Sequence, residues 1–120
     1  RQPEPVDQFD AVVESLLRFH MYRREQAFVG STEIRSLDSS YKQTYIGLRD
    51  RQQRMVDEIV FAGVDAGDFR TRYPKDAARA VTTICVGVST WFKPDGELGP
   101  DELIARNLDL SRATVGYVER

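Results

Sequence analysis

Residues 48–69 read LRDRQQRMVDEIVFAGVDAGDF, a stretch that predicts the second half of a long amphipathic helix. Val56, Ile59 and Val60 recur at steps of three and four, which places them on one side of a helix. Charged side chains occupy the opposite side at four-residue spacing, a pattern typical of a solvated surface. The stretch therefore predicts a helix over residues 40–62 that packs one face into a core.

Two glycines and an aromatic residue predict where this helix ends. Gly67 can adopt the left-handed backbone conformation that closes a helix, and Phe69 can then fold back onto the last turns. Gly63 and Gly67 are four residues apart, but that spacing favours helix dimers only inside an apolar membrane span. We therefore expect a turn after the long helix.

Three further helices and one short helix are predicted around the long one. The first spans residues 6–29, and a short helix over residues 31–37 can be capped by Ser31. Prolines open the last two helices, the penultimate over residues 74–92 and the last from Pro100. The apolar face of the first helix comprises Phe9, Val12, Val13, Leu16, Leu17 and His20. Strand-like alternation is scarce, so the sequence predicts an all-α antiparallel bundle of four main helices plus one short helix.

Length and composition fit a single domain over residues 1–120. Of these 120 residues 41% are hydrophobic and 30% charged, which excludes a disordered tail. The longest stretch without a charge, residues 80–92, is too short to cross a bilayer, which needs about 20 apolar residues. A formal net charge of −2 argues against binding nucleic acid through a global positive field.

The sequence has too few histidine and cysteine residues for a conventional catalytic or zinc site. With one His and one Cys, the chain offers no catalytic triad, cysteine–histidine pair or conventional zinc site. Paired carboxylates such as Asp57 and Glu58 are sequential and point to different sides of a helix. We therefore expect no enzyme, no metal and no cofactor. Cys85 is interpreted as a small buried hydrophobe, and a lone cysteine suits a reducing cytoplasm.

Four stretches of the chain follow one another in a characteristic order. They are LLRFHMYRRE at 16–25, STEIRSLD at 31–38, the stretch at 48–69, and TWFKPDGELGPDEL at 90–103. A Gly-x-x-x-Gly-Asp-Phe helix end, one helix and then Trp-Phe-x-Pro-Asp-Gly resemble the C-terminal regulatory domain of TetR-family transcriptional repressors. The resemblance covers residues 9–118. It looks closest to the branch linked to lipid, fatty-acid or sterol catabolism.

The resemblance implies one half of a two-part regulator. The family joins an N-terminal helix-turn-helix domain for DNA to a C-terminal helical domain for effector binding and dimerisation. No recognition helix precedes Val6, so the family's DNA-contacting residues have no positions in this sequence. DNA would be bound only through that missing domain. Tyr73 before Pro74 departs from the family pattern, where an Asp cap is expected. We therefore expect the effector-sensing domain of a cytoplasmic, homodimeric repressor that makes no membrane contact.

The effector is expected among the first, long and penultimate helices. A neutral His20 can hydrogen-bond a ligand in an apolar pocket, whereas the alternative is a satisfied core histidine. A glutamine on an apolar stripe needs partners for its amide, and methionine adapts to irregular shapes. The alternative for such polar residues is an edge of the core that reaches solvent. The predicted ligand-binding residues are Leu16, His20, Tyr45, Gln52, Met55 and Thr83.

The expected effector is a small lipophilic molecule, such as an acyl-CoA or a lipid or sterol catabolite. Arg49 is interpreted as an exposed arginine, with phosphate binding as the alternative if the effector is a CoA ester. A different function also stays open, namely a ligand-free helical module for protein–protein interaction or dimerisation. Stabilisation by a lipophilic ligand would distinguish the two.

The last two helices are expected to form the dimer interface, as they do in the family. The penultimate helix is apolar on more than one side, and its small residues would let two backbones approach closely. The alternative is that this helix is the central core helix of a monomer. The predicted interface residues are Ala77, Val81, Ile84, Val88, Leu108 and Val115.

Overall fold

Four helices make up the part of the chain that the computed structural model describes, residues 3–22 and 39–119. The helices are α1 (Pro5–Tyr22), α2 (Ser39–Ala66), α3 (Pro74–Trp91) and α4 (Pro100–Thr114). Within these ranges the backbone forms no strand, and Phe69 and Tyr117 make one isolated antiparallel bridge. The all-α prediction is confirmed.

The predicted helix limits agree closely for α3, for the start of α4 and for the start of α1, whereas α2 ends later than predicted. α2 continues to Ala66, four residues beyond its predicted end, because the backbone reverses only at Gly67, where φ is +81°. The predicted short helix over 31–37 and the predicted continuation of the first helix over 23–29 lie outside the described residues.

The hydrophobic core draws on every helix, and α1 and α3 each pack against the other three. Full burial of a Val, Leu or Phe side chain contributes about 1.5–3 kcal/mol relative to leaving it exposed. The buried apolar residues within the helices are Phe9, Val13, Leu16, Leu17 and Met21 of α1, Val56 and Val60 of α2, Ala77, Ala78, Val81, Cys85 and Val88 of α3, and Leu103 and Ile104 of α4. The many-sided apolar surface of α3 is thus covered largely by its own chain.

The turn after α2 closes the helix and anchors it to the C-terminal tail. The amides of Asp68 and Phe69 donate to the carbonyl of Gly63 at 2.8 and 3.1 Å. Phe69 is buried, as predicted, and its ring meets that of Phe9 edge to face with centroids 5.2 Å apart. The amide of Val118 donates to the Asp68 carbonyl at 2.9 Å, so the ends of α2 and α4 lie together.

An ion pair joins α4 to α1 beside this turn. Arg112 donates through Nε to Asp10 Oδ1 at 2.9 Å and through Nη2 to Oδ2. The hydrogen bonds to Asp10 raise the pKa of Arg112. Both side chains are partly exposed, so the pair contributes about 1 kcal/mol at most.

Two large apolar residues lie at the surface of the described structure. Trp91 is 51% exposed because α3 ends there and the chain extends at Phe92, whose ring takes the buried position instead. Leu110 of α4 is likewise exposed. Among the described helices, none has the length and apolar character needed to cross a membrane.

Substitution of Gly63 tests the packing of the α2 turn. A Cβ at residue 63 would overlap the Phe69 ring, so we expect Gly63→Ala to lower the free energy of unfolding by about 1–3 kcal/mol. Gly47→Ala is the matched control, because nothing lies within 4 Å of its Cβ position. In a helix that change raises stability by roughly 0.5–1 kcal/mol. Urea denaturation of both variants checks this, and equal effects would contradict the packing.

Candidate functional site

A cavity of about 500 Å³ lies between α1, α2 and α3. Its volume falls within the roughly 300–1,000 Å³ typical of small-molecule sites. The described residues that line it are Leu16, His20, Arg49, Asp50, Gln52, Gln53, Arg79, Thr82, Thr83, Cys85, Val86 and Gly87. Apolar and polar side chains both contribute, so the cavity suits a ligand with a mixed surface.

His20 stands at the end of α1, one turn after Leu16, and faces the cavity with it. The residue is only 5% exposed, and its Nδ1 has no hydrogen-bond partner among the described residues. A buried polar atom left without a partner costs about 1–3 kcal/mol. A bound molecule with a polar group at this point would remove that cost.

The imidazole of His20 is held neutral by its surroundings. Burial, and then the positive charge of Arg49, lower the pKa of His20 below its ordinary value of 6.5. The ring of Phe19 meets the imidazole edge to face, with centroids 5.1 Å apart. At neutral pH the group therefore offers a hydrogen bond without a charge.

A chain of polar side chains joins α2 to α3 along the cavity wall. Thr82 Oγ1 donates to Gln53 Oε1 at 2.6 Å, and Gln53 Nε2 donates to Asp57 Oδ1 at 2.9 Å. Both the oxygen and the nitrogen of the Gln53 amide thus already form hydrogen bonds within the protein. The neighbouring Gln52 side chain makes no such bond within the described ranges, which leaves its amide available to a ligand.

Cys85 forms an inert part of the wall. Its side chain is fully buried, as predicted, with Sγ 4.0 Å from the carbonyl oxygen of Val13. Burial raises the pKa of the Cys85 thiol to about 12, so the thiolate is absent at neutral pH. The described residues also hold no cluster of three His, Cys, Asp or Glu that could bind a metal ion.

Four of the six residues predicted to bind ligand line this cavity: Leu16, His20, Gln52 and Thr83. Met55 does not; it is 44% exposed and lies outside the lining. The buried line of α2 runs through Val56 and Val60, and one residue of helix turns the side chain by about 100°. Tyr45 belongs to α2, but its side chain lies outside the described part of the structure.

Several lining residues were absent from the predicted ligand set, chiefly Gln53, Arg79 and Thr82. Arg79 stands four residues before Thr83 on the same helix, and Thr82 directly precedes Thr83. Arginine on a helix normally indicates a solvated face, so the pattern gave no reason to place Arg79 beside a cavity.

The residues predicted for the dimer interface lie mostly inside a single chain. Their helices do pack together, yet four of the six side chains belong to the core of a single chain and offer almost no surface to a second copy. These four are Ala77, Val81, Val88 and Val115. Ile84 and Leu108 are half-buried. Apolar periodicity cannot tell a face covered by the same chain from one covered by a partner.

A comparison with models of known protein families identifies the family of this domain. The family model described as "Tetracyclin repressor-like, C-terminal domain" matches residues 2–115, nearly the whole chain. The chain belongs to this family of TetR-type C-terminal domains. The resemblance to the C-terminal domain of the TetR family, noted in the sequence, is thereby confirmed.

A solved structure agrees with this assignment. The TetR-type domain is similar to a bacterial regulatory protein in the TetR family from Rhodococcus RHA1, with 28% sequence identity and a TM-score of 0.88. The match covers 98% of this chain and 62% of that one, so the domain spans about three fifths of the regulator's length. No curated protein matches the sequence significantly.

The single histidine allows a direct test of the electrostatics of the cavity. Its lowered pKa means that the unfolded chain binds a proton more readily than the folded domain does. The stability that depends on neutral His20 is complete above pH 6.5 and is lost as the pH falls from 6.5 through the folded-state pKa. The loss is at most about 1.4 kcal/mol per pH unit.

Because His20 is the single histidine of the sequence, an NMR titration follows its imidazole without overlap. We expect the pKa of His20 to lie below 6.5. Arg49→Gln removes the positive charge and should move this pKa upward. His20→Gln should flatten the dependence of unfolding free energy on pH between 7.5 and 5.5, as read by urea denaturation. An imidazole pKa at or above 6.5 would contradict the burial and the charge arrangement described here.

Proposed function

We propose that this TetR-type domain senses a small lipophilic effector in the cavity between α1, α2 and α3. The observation that carries the proposal is the buried Nδ1 of His20, which has no hydrogen-bond partner among the described residues and lies at the wall of a cavity large enough for a metabolite. Leu16 and Val86 supply apolar contacts, and Gln52 and Thr83 supply polar ones. Acyl-CoA thioesters and lipid or sterol catabolites are the effector classes proposed.

The proposed regulatory step is a change in the packing of α1. An effector in the cavity touches Leu16 and His20 of α1 and Thr83 and Val86 of α3 at the same time. It favours whichever of two packings it binds more tightly, and it can shift the equilibrium only by that difference in affinity. In a cytoplasmic repressor, a helix-turn-helix domain preceding α1 would then lose operator affinity.

We further propose that the domain forms a homodimer through the outer side of α3 together with α4. Ala80, Ile84 and Trp91 follow one another at steps of four and seven, so they share one side of α3. Ala80 and Trp91 are exposed, and Ile84 is half-buried. Leu110, which is 58% exposed, brings apolar surface from α4. Exposed tryptophan is enriched at protein interfaces, which supports this surface over the buried residues.

The second candidate is a helical module for dimerisation that binds no ligand. Exposed apolar residues such as Trp91 and Leu110 favour an interaction surface under either proposal. The cavity is what separates the two, because a passive module has no use for a 500 Å³ space with an unsatisfied histidine in its wall.

Thermal unfolding with candidate ligands tests effector binding. A panel of medium-chain alcohols, fatty acids and acyl-CoA thioesters should contain members that raise the unfolding temperature with concentration. At 100 times the dissociation constant a ligand stabilises the fold by about 2.7 kcal/mol. Gly87→Leu should abolish this effect, because a side chain at Gly87 meets nothing within 4 Å and extends from the lining into the cavity.

Gly47→Leu is the matched control, since its Cβ position is equally open but lies outside the cavity lining. This variant should respond to ligand as the unaltered domain does. No stabilisation by any member of the panel, or equal responses of the two variants, would favour the ligand-free module.

The oligomeric state tests the proposed dimer surface. We expect the domain to elute at twice the mass of one chain in size-exclusion chromatography with light scattering. Ala80→Glu places a charge in the proposed interface and should shift the equilibrium to monomer by a factor of about ten or more. Ala62→Glu, at an exposed position of α2, is the matched control and should stay dimeric. A monomeric unaltered domain would contradict the proposed homodimer.

A further inference from the structure

The described residues that line the cavity are more positive than the chain as a whole. Among them, two arginines, Arg49 of α2 and Arg79 of α3, stand against one acid, Asp50, while His20 is neutral. The described lining therefore carries one net positive charge, in a chain whose formal net charge is −2. A local excess of positive charge attracts an anion, whereas the negative charge of the chain as a whole would repel one.

We propose that the effector is an amphiphile with an anionic head group, and that Arg79 together with Arg49 binds this head. The inference rests on the proposed function, because it concerns the same cavity. The apolar part of the ligand then lies against Leu16 and Val86, and its inner polar group faces His20. Carboxylates and phosphate esters share this chemistry.

Arg79 is suited to the task by its position and its lack of a competing partner. It forms no ion pair with any residue in the described ranges. Its backbone carbonyl accepts a hydrogen bond from Thr83 Oγ1 at 2.8 Å and lies 2.9 Å from Thr82 Oγ1, so three cavity residues share one turn of α3. A planar guanidinium can bind a carboxylate or phosphate through two parallel hydrogen bonds.

Arg49 supplies the second positive charge from the opposite helix. Arg49 lines the cavity together with His20, and its positive charge adds to burial in lowering the pKa of that imidazole. An anion between α2 and α3 would thus interact with charges from both helices. His20 adds a hydrogen bond but no charge, so the counter-charge for the anion comes from the two arginines.

Binding of four ten-carbon probes tests the sign of the recognised charge. They are decanoate, decyl phosphate, decanol and decyltrimethylammonium, each used below its micelle concentration in calorimetric titrations at low salt. We expect decanoate or decyl phosphate to bind at least about tenfold more tightly than decanol, and the cation to bind most weakly. Tighter binding of one anion over the other identifies the head group as carboxylate or phosphate.

Three arginine variants test which positive charges bind the anionic head group. Arg79→Gln and Arg49→Gln should each weaken the anionic probe about tenfold and leave decanol unchanged. Arg54→Gln is the matched control, because Arg54 is exposed on α2 and outside the cavity lining. Thermal unfolding of each variant without ligand verifies that the fold is intact.

The outcomes separate this inference from the proposed function. Equal binding of decanol and decanoate, unaffected by Arg79→Gln, would overturn the anionic head group while leaving a lipophilic effector in place. Equal weakening by Arg54→Gln would also overturn it, since the effect would then be one of overall charge. Failure of all four probes to bind a folded domain would contradict both proposals.

Discussion

The packing of α1 against α3 is the interaction on which the rest of this domain depends. These two helices each contact all the others, and their contact is formed by side chains without any exposed surface, such as Val13, Val81 and Cys85. Interiors of this kind are close-packed and have low compressibility, so a shift of one helix is passed to the other as a rigid body. A ligand that alters the packing of α1 against α3 therefore alters the packing of the whole bundle.

The two ends of α1 lie in different environments. Near its start, Phe9 packs on Phe69, and Asp10 binds Arg112, so this end is tied to the turn after α2 and to α4. Near its other end, His20 faces a cavity and keeps a nitrogen without a partner. Eleven residues of helix separate Phe9 from His20, about 16 Å. A ligand at the open end can therefore act on a helix that is anchored at the closed end.

The sequence was sufficient for the helical fold because periodicity and helix-ending residues are local signals. Gly67 adopts the predicted left-handed conformation, and Phe69 folds back as expected. The same periodicity found Leu16 and His20, since residues four apart on one helix share a face. The last turn of α2, after residue 62, was missed because Gly63 suggested an earlier end, whereas its lack of a side chain leaves room for the Phe69 ring.

The site and the interface could be predicted only in part, because they depend on how the helices are rotated against each other. Met55 was assigned inward although α2 turns Val56 to the core. Val81 and Val88 were assigned to a partner although α1, α2 and α4 cover α3 within one chain. Arg79 was overlooked because charge on a helix normally indicates solvent. Each of these errors comes from reading a single helix without its neighbours.

The central claim, that the cavity is built to hold a ligand beside His20, is tested most directly by a crystal structure of the domain purified from cells without added ligand. We expect non-protein electron density between α1 and α3, with an atom at hydrogen-bond distance from His20 Nδ1. Mass spectrometry of the same sample would identify that molecule. A closed interior, with Leu16 against Val86 and Nδ1 bonded to a protein atom, would contradict the account.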